Sequence, residues 1–238
     1  DWWGDFWVLN LNSDGTILWQ KRYGGAQGDS ASSILQTRDG GYIVAGTTKS
    51  FGARSEDFWV LKLNSNGSVA WQKRYGGAGG ESAHSIEQTA DGGYVVSGHT
   101  DSFGAGDSYF WVLKLKGDGT ISWQKAYGGA GDDWPSSIQQ TSDGGYIVAG
   151  ATQSFGAGWW DSWILKLNSD GTVCWQKRYG GTYGDSASSI QQTDDGGYIV
   201  AGFTESFGAG SWCDFWVLKL NSDGTVAWQK SYGGAYDD

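Results

Sequence analysis

The sequence repeats itself. Trp7, Trp59, Trp111, Trp163 and Trp216 each stand in a version of Phe-Trp-Val-Leu-Lys-Leu, at intervals of 52, 52, 52 and 53 residues. Trp19, Trp71, Trp123, Trp175 and Trp228, each followed by Gln-Lys, keep the same step. Tyr42, Tyr94, Tyr146 and Tyr198 mark a third series, each in Gly-Gly-Tyr-(Ile or Val)-Val. A period of this length restricts the chain to a solenoid, a propeller or an array, because one unit cannot bury its own apolar face and must lean on the next.

Each period contains four short segments rich in β-branched and aromatic residues, named here A to D. In order they are Ser-Ile-Gln-Gln-Thr, Gly-Tyr-Ile-Val-Ala-Gly, Phe-Trp-Val-Leu-Lys-Leu and Val-Ala-Trp-Gln-Lys, and each reads as a strand. The A-to-B link, as at Asp39-Gly40-Gly41, and the C-to-D link, as at Asp170-Gly171, are hairpin turns in which Gly supplies a positive φ. No stretch carries a helical period with a cap. Four antiparallel strands per period match a propeller blade, and a strand C that is apolar on both faces suits a sheet between two neighbours. The predicted fold is all-β: a β-propeller of four-stranded antiparallel blades in a single domain spanning residues 1–238. A β-solenoid competes, although its coils are usually shorter. Strands C and D occur five times, A and B four times. A five-bladed ring with one incomplete blade is favoured, and a four-bladed ring with an extra hairpin is the alternative.

The run Ser-Ser-Ile-Gln-Gln-Thr-x-Asp-Gly-Gly-Tyr-Ile-Val-Ala-Gly, followed by Trp-Val-Leu-Lys-Leu-Asn-Ser-Asp-Gly-Thr-Val-x-Trp, resembles the tryptophan-bearing blade of quinoprotein-type propellers. It is also similar to repeats of secreted and surface proteins of bacteria and archaea. The resemblance spans nearly the whole chain and implies the fold. A quinoprotein would also imply a dehydrogenase with a quinone and calcium, but its ligand residues have no counterparts that can be placed here. No cofactor and no metal are therefore expected.

Composition narrows the function. Sixteen Lys and Arg against twenty-six Asp and Glu leave a net charge of −10, which repels a phosphate backbone and excludes a nucleic-acid partner. No apolar run reaches the eighteen or so residues of a membrane-spanning helix, so no membrane insertion is expected. The chain opens on Asp1 without Met, as after removal of a leader or within a longer protein. The resemblance to repeats of secreted and surface proteins implies an extracellular or cell-surface location. Cys174 and Cys213 fall toward opposite ends of their strands, too far apart to be bonded to each other.

Alternating strand direction sends the A-to-B and C-to-D turns to one face and the longer B-to-C and D-to-A connections to the other. Long connections are where binding residues tend to gather. Ten of the sixteen Trp occupy the two repeat positions and read as inter-blade packing. The other six, Trp2, Trp3, Trp134, Trp159, Trp160 and Trp212, fall in or beside long connections, with Tyr183 and Tyr236. These eight are the candidate binding residues. Either a partner covers them or they fold back over the blade ends. Asp29, Glu81, Asp133, Asp185 and Asp237, with Asp5, Asp57, Asp161 and Asp214, recur on the same face and read mainly as acceptors for backbone N–H groups at strand starts. His84 and His99 each replace a residue that other repeats fill with small or apolar types, and neither has a partner at ligand spacing.

No carboxylate pair is unique to one repeat, and repetition argues against the asymmetric arrangement that catalysis needs. The expectation is a non-enzymatic surface propeller that acts as a structural or interaction unit through its Trp-rich face, by self-association in a repeating assembly or by docking another surface protein. A lectin-like module for glycans is the alternative, although the tachylectin motif is not present, and a fragment of a quinoprotein-like enzyme is the third reading.

Overall fold

The computed structural model describes residues 4–52, 55–104, 107–208 and 213–234. All regular structure among them is β. Strands β1 (Phe6–Leu11) and β2 (Ile17–Tyr23) pair as a two-stranded sheet. Four sheets of four strands follow, each an antiparallel meander in sequence order. The first comprises β3 (Asp29–Gln36), β4 (Tyr42–Thr48), β5 (Asp57–Leu63) and β6 (Val69–Tyr75). The second comprises β7 (Glu81–Gln88), β8 (Tyr94–Thr100), β9 (Tyr109–Leu115) and β10 (Ile121–Tyr127). The third comprises β11 (Asp133–Gln140), β12 (Tyr146–Thr152), β13 (Asp161–Leu167) and β14 (Val173–Tyr179). The fourth comprises β15 (Asp185–Gln192), β16 (Tyr198–Thr204), β17 (Asp214–Leu220) and β18 (Val226–Tyr232). These are the predicted segments A to D, and β1–β2 is a C–D pair. Strands β3, β7, β11 and β15 lie one against the next, so the A strands surround the axis and the D strands form the rim. The fold is a β-propeller.

Local chemistry sets the turns. In the second blade Asp91 accepts from the Thr89 hydroxyl (2.5 Å) and the Gly93 N–H (3.0 Å), while Gly92 takes φ 80°. From the adjacent strand C, Lys114 reaches Asp91 at 2.9 Å and the Leu115 carbonyl at 3.1 Å, so a lysine on a buried strand keeps its charge satisfied. The same pair recurs as Lys62–Asp39, Lys166–Asp143 and Lys219–Asp195.

Alternate residues of strand C pack in opposite directions. Phe58 and Val60 face the following blade, where they meet Trp111 and Leu113, and this pattern recurs through the fold. The ring centroids of Phe6–Trp59, Phe58–Trp111 and Phe110–Trp163 are 4.6, 4.6 and 4.7 Å apart. Strand D adds polar ties to the next C-to-D turn. Trp71 Nε1 donates to the Gly117 carbonyl at 3.1 Å and the Tyr75 hydroxyl to the Gly119 carbonyl at 2.6 Å. Burial accounts for the aromatic content of the repeat, since each ring carries a large apolar area, and the strand D Trp and Tyr also have a polar tip that finds a carbonyl of the next turn.

Among the described residues the fan of sheets does not close. Trp7 is 61% exposed and Phe215 47%, whereas Trp59 and Phe58, at the equivalent positions, are 2% and 0% exposed. Ile34 is 50% exposed against 4% for Ile86, because among the described residues β1–β2 is a two-stranded sheet with no A or B strand to cover it. The reading of all ten repeat tryptophans as packed between blades is corrected accordingly: Trp7 and Trp228 face away from any neighbouring blade and are exposed. Cys174 and Cys213 are not joined by a disulfide.

Candidate functional site

The meander brings the B-to-C and D-to-A connections to one end of the blades, and most carboxylates there are structural. Asp29 is buried. It accepts from the Gly25 N–H (2.9 Å), the Ser50 hydroxyl (2.7 Å) and the Thr48 hydroxyl. Glu81, Asp133 and Asp185 do the same work in the other blades, each taking an N–H from its own D-to-A connection and a hydroxyl from the end of strand B. Asp5 and Asp57 pair with Arg22 and Arg74, and Asp161 accepts the Ala157 N–H. A Cβ at Gly76 would stand 1.8 Å from an Asp57 oxygen and 2.5 Å from one of Glu81, so the Gly-Gly after each strand D is a close-approach requirement.

Asymmetry enters at the seam between the second and third blades. Between the first and second, Thr47 and Ser82 share a hydrogen bond of 2.6 Å. One blade on, the same two places hold His99 and Trp134, whose rings stack with centroids 5.7 Å apart and planes 24° apart. His84 occupies the irregularity of β7 between Ala83 and Ser85, and its ring centroid lies 5.2 Å from that of His99. Its Nδ1 is 2.5 Å from the Pro135 carbonyl, which can only accept, so Nδ1 carries the proton and Nε2 is left as an acceptor. Trp160, in the connection before β13, extends the run with its centroid 5.5 Å from Trp134. Four rings from two blades therefore form a continuous ledge beside the axis.

Polar groups border it. A cavity of about 480 Å³ is lined by His99, Asp101, Gln27, Lys49 and Glu56, and a second of about 560 Å³ shares Lys49 and Glu56. Those two form an ion pair at 3.0 Å in the dividing wall. Burial holds both histidines below the ordinary imidazole pKa. The neighbouring His84 lowers His99 further, while Asp101 and Glu56 act the other way without reversing the shift, so both rings are neutral near pH 7. His99 Nδ1 is buried with no hydrogen-bond partner. Asp132 is raised by burial and by Asp107, Asp101 and Asp133, the mark of crowded carboxylates at this end.

Of the predicted binding residues, Trp134 and Trp160 join the ledge, and Trp134 remains partly exposed. Trp159 is exposed next to it, and Tyr183 is exposed in the following D-to-A connection. The two connections touch, since a Cβ at Gly158 would stand 2.4 Å from the Tyr183 carbonyl oxygen. Trp2, Trp3, Trp212 and Tyr236 lie outside the described residues. Sequence reasoning set His84 and His99 aside as isolated. The signal that would have joined them is hairpin register, which pairs Ser82 with His99 and places both histidines near the long-connection end of one A–B hairpin.

No family model and no curated relative matches the sequence. Solved structures do resemble the fold. An endo-1,4-β-xylanase from Bacteroides thetaiotaomicron superposes with a TM-score of 0.52 at 12% identity, over 90% of this chain and 82% of that one. A protein named as an exo-β-1,3-galactanase from Bifidobacterium bifidum gives 0.52 at 16% identity, over 85% and 72%. Sqt1 from Chaetomium thermophilum gives 0.51 at 11% identity, over 94% of this chain and 52% of its own. At these identities the likeness is one of fold.

These comparisons correct the expectation that the chain is not an enzyme. Two of the structures just described carry enzyme names, so this architecture accommodates active sites. The physical flaw was the premise that near-identical blades stay equivalent. Four substitutions at one seam make a constellation that no other seam has among the described residues.

Proposed function

We propose that the chain binds a saccharide on its long-connection face, with sugar rings laid along Trp134 and Trp160 and hydroxyls turned into the cavity beside His99. The observation that carries this reading is the run of four rings bordering a polar cavity, in which His99 and Trp134 stack while Trp134 and Trp160 meet at 51°: aromatic surface next to a few convergent polar groups is the general form of a small-molecule site. Sugars need both, since their C–H faces stack on indoles while their hydroxyls seek donors and acceptors. His84 Nε2, Asp101 and Glu56 supply acceptors, and Lys49 supplies a donor. The acidic surface favours a neutral or basic saccharide over a uronic or sulfated one. The sugar-directed names of the two enzyme structures support the substrate class, and a secreted or cell-surface location is part of the proposal.

The test is a tryptophan-fluorescence titration with neutral oligosaccharides, xylo- and galacto-oligosaccharides included, on the intact chain and on Trp134→Ala. Saturable binding that weakens about tenfold or more in the variant is expected, in line with loss of a central aromatic anchor. No saturable binding, or equal binding by the variant, refutes the proposal. Release of reducing ends from any polysaccharide that binds decides whether the site also cleaves it.

A further inference from the structure

The two uncovered ends of the fan are complementary halves of the interface that the chain builds internally. Every closed seam joins two dissimilar faces. The forward face of one blade presents the second and fourth residues of strand C and the Trp and Tyr of strand D. The rear face of the next presents the third, fifth and seventh residues of strand C and the carbonyls of the C-to-D turn. At one end of the fan the forward face of β15–β18 is open, with Phe215, Trp228 and Tyr232 exposed. At the other end the rear face of β1–β2 is open, with Trp7, Leu9 and Leu11 exposed.

We propose that these faces join head to tail between two copies of this chain. The occupant follows from continuity with the internal seams: the forward face of β15–β18 carries the residues that its counterparts in the other blades lay on a rear face, and the rear face of β1–β2 carries the residues they meet. Repeat register names the contacts. Phe215 packs on Trp7 of the second copy, as Phe58 packs on Trp111. Trp228 Nε1 donates to the Ser13 carbonyl and the Tyr232 hydroxyl to the Gly15 carbonyl, as Trp19 and Tyr23 donate to Ser65 and Gly67 at 3.0 and 2.5 Å. The turn that supplies those carbonyls is already formed in β1–β2, where Gly15 takes φ 83°. Only the outer half of a seam is made, because β1–β2 brings no A or B strand. The contact is heterologous, so it propagates unless its rotation closes. It is also separate from the saccharide ledge, and it runs through blade faces, whereas the association expected from the sequence runs through the Trp-rich connections.

Light scattering across a concentration series tests this, using the intact chain, Trp7→Arg and Phe215→Arg. Both side chains are exposed, so each variant keeps its fold, which circular dichroism verifies. The intact chain should show a mass that rises with concentration, and each variant alone should associate about thirty-fold more weakly or not at all, the usual consequence of losing a central aromatic. Mixing the two variants should restore one-to-one dimers, because each retains the face the other has lost. Tyr232→Phe, which removes only the hydroxyl, should weaken association severalfold. An intact chain that stays monomeric at all concentrations, or a variant mixture that does not associate, overturns the proposal.

Discussion

Replacing isoleucine by alanine at one repeat position, four times over, measures the open end of the fan directly. Ile34, Ile86, Ile138 and Ile190 occupy the same place in strand A, and Ile86, Ile138 and Ile190 are 4, 5 and 4% exposed against 50% for Ile34. Ile→Ala removes three carbons, worth about 2.4 kcal/mol of transfer free energy at about 0.8 kcal/mol each. At the three enclosed sites the residual cavity raises the loss to about 3–4 kcal/mol. At Ile34 roughly half the transfer value applies and no closed cavity forms, so about 1 kcal/mol is expected. Urea unfolding of the four variants, followed by tryptophan fluorescence, gives the comparison. The midpoints of the Ile86, Ile138 and Ile190 variants should fall together and well below that of the Ile34 variant. A loss at Ile34 equal to the others would mean that its face is covered in solution, and both the open fan and the half-seam argued for association would be wrong. Because neighbouring repeats stabilise one another, each variant also reports on the seam that holds it.

Two further outcomes follow from titration. Asp91 is drawn down to about 2: burial alone would raise it, but bonds from Lys114, Thr89 and the Gly93 N–H outweigh that. A depressed carboxylate contributes stability that is present above its unfolded pKa of about 3.9 and lost as pH falls toward the folded value. Asp91→Ala should therefore cost about 1 kcal/mol at pH 7, discounted because the Asp side chain is largely exposed, and should flatten the acid limb of stability between about pH 4 and 2. For the histidines the sign reverses. Folding favours the neutral rings, so stability falls as pH drops below about 6.5 and levels off beneath the folded values. Giving the second blade the residues of the first, His84→Ser with His99→Thr, should remove that slope from a melting-temperature profile over pH 5–7. An unchanged slope would show that other groups carry it.

Much was legible in the sequence because it is written locally. Strand boundaries follow from Gly-bounded apolar runs, the turns from Asp-Gly chemistry, and the shared face of the long connections from alternating strand direction, so Trp134, Trp159, Trp160 and Tyr183 could be placed at one end before any coordinates. The structural role of Asp29, Glu81, Asp133 and Asp185 was readable from their repetition and is borne out by their glycine N–H and threonine partners. The ledge was not legible. His84, His99, Trp134 and Trp160 are spread over 77 positions and come from two blades, and they meet only because inter-blade packing sets the B strand of one against the A strand of the next.

The sequence by itself therefore determined the blade: which residues are strands, which turn, and which face of each sheet is apolar, all through short-range periodicity and turn sterics. The tertiary structure alone decided how identical residues differ. Trp7 and Trp59 stand in nearly the same hexapeptide, yet one is bare and the other sealed, because burial belongs to the neighbouring blade and not to the residue. Repetition encodes the face, and only the arrangement of blades determines whether anything covers it.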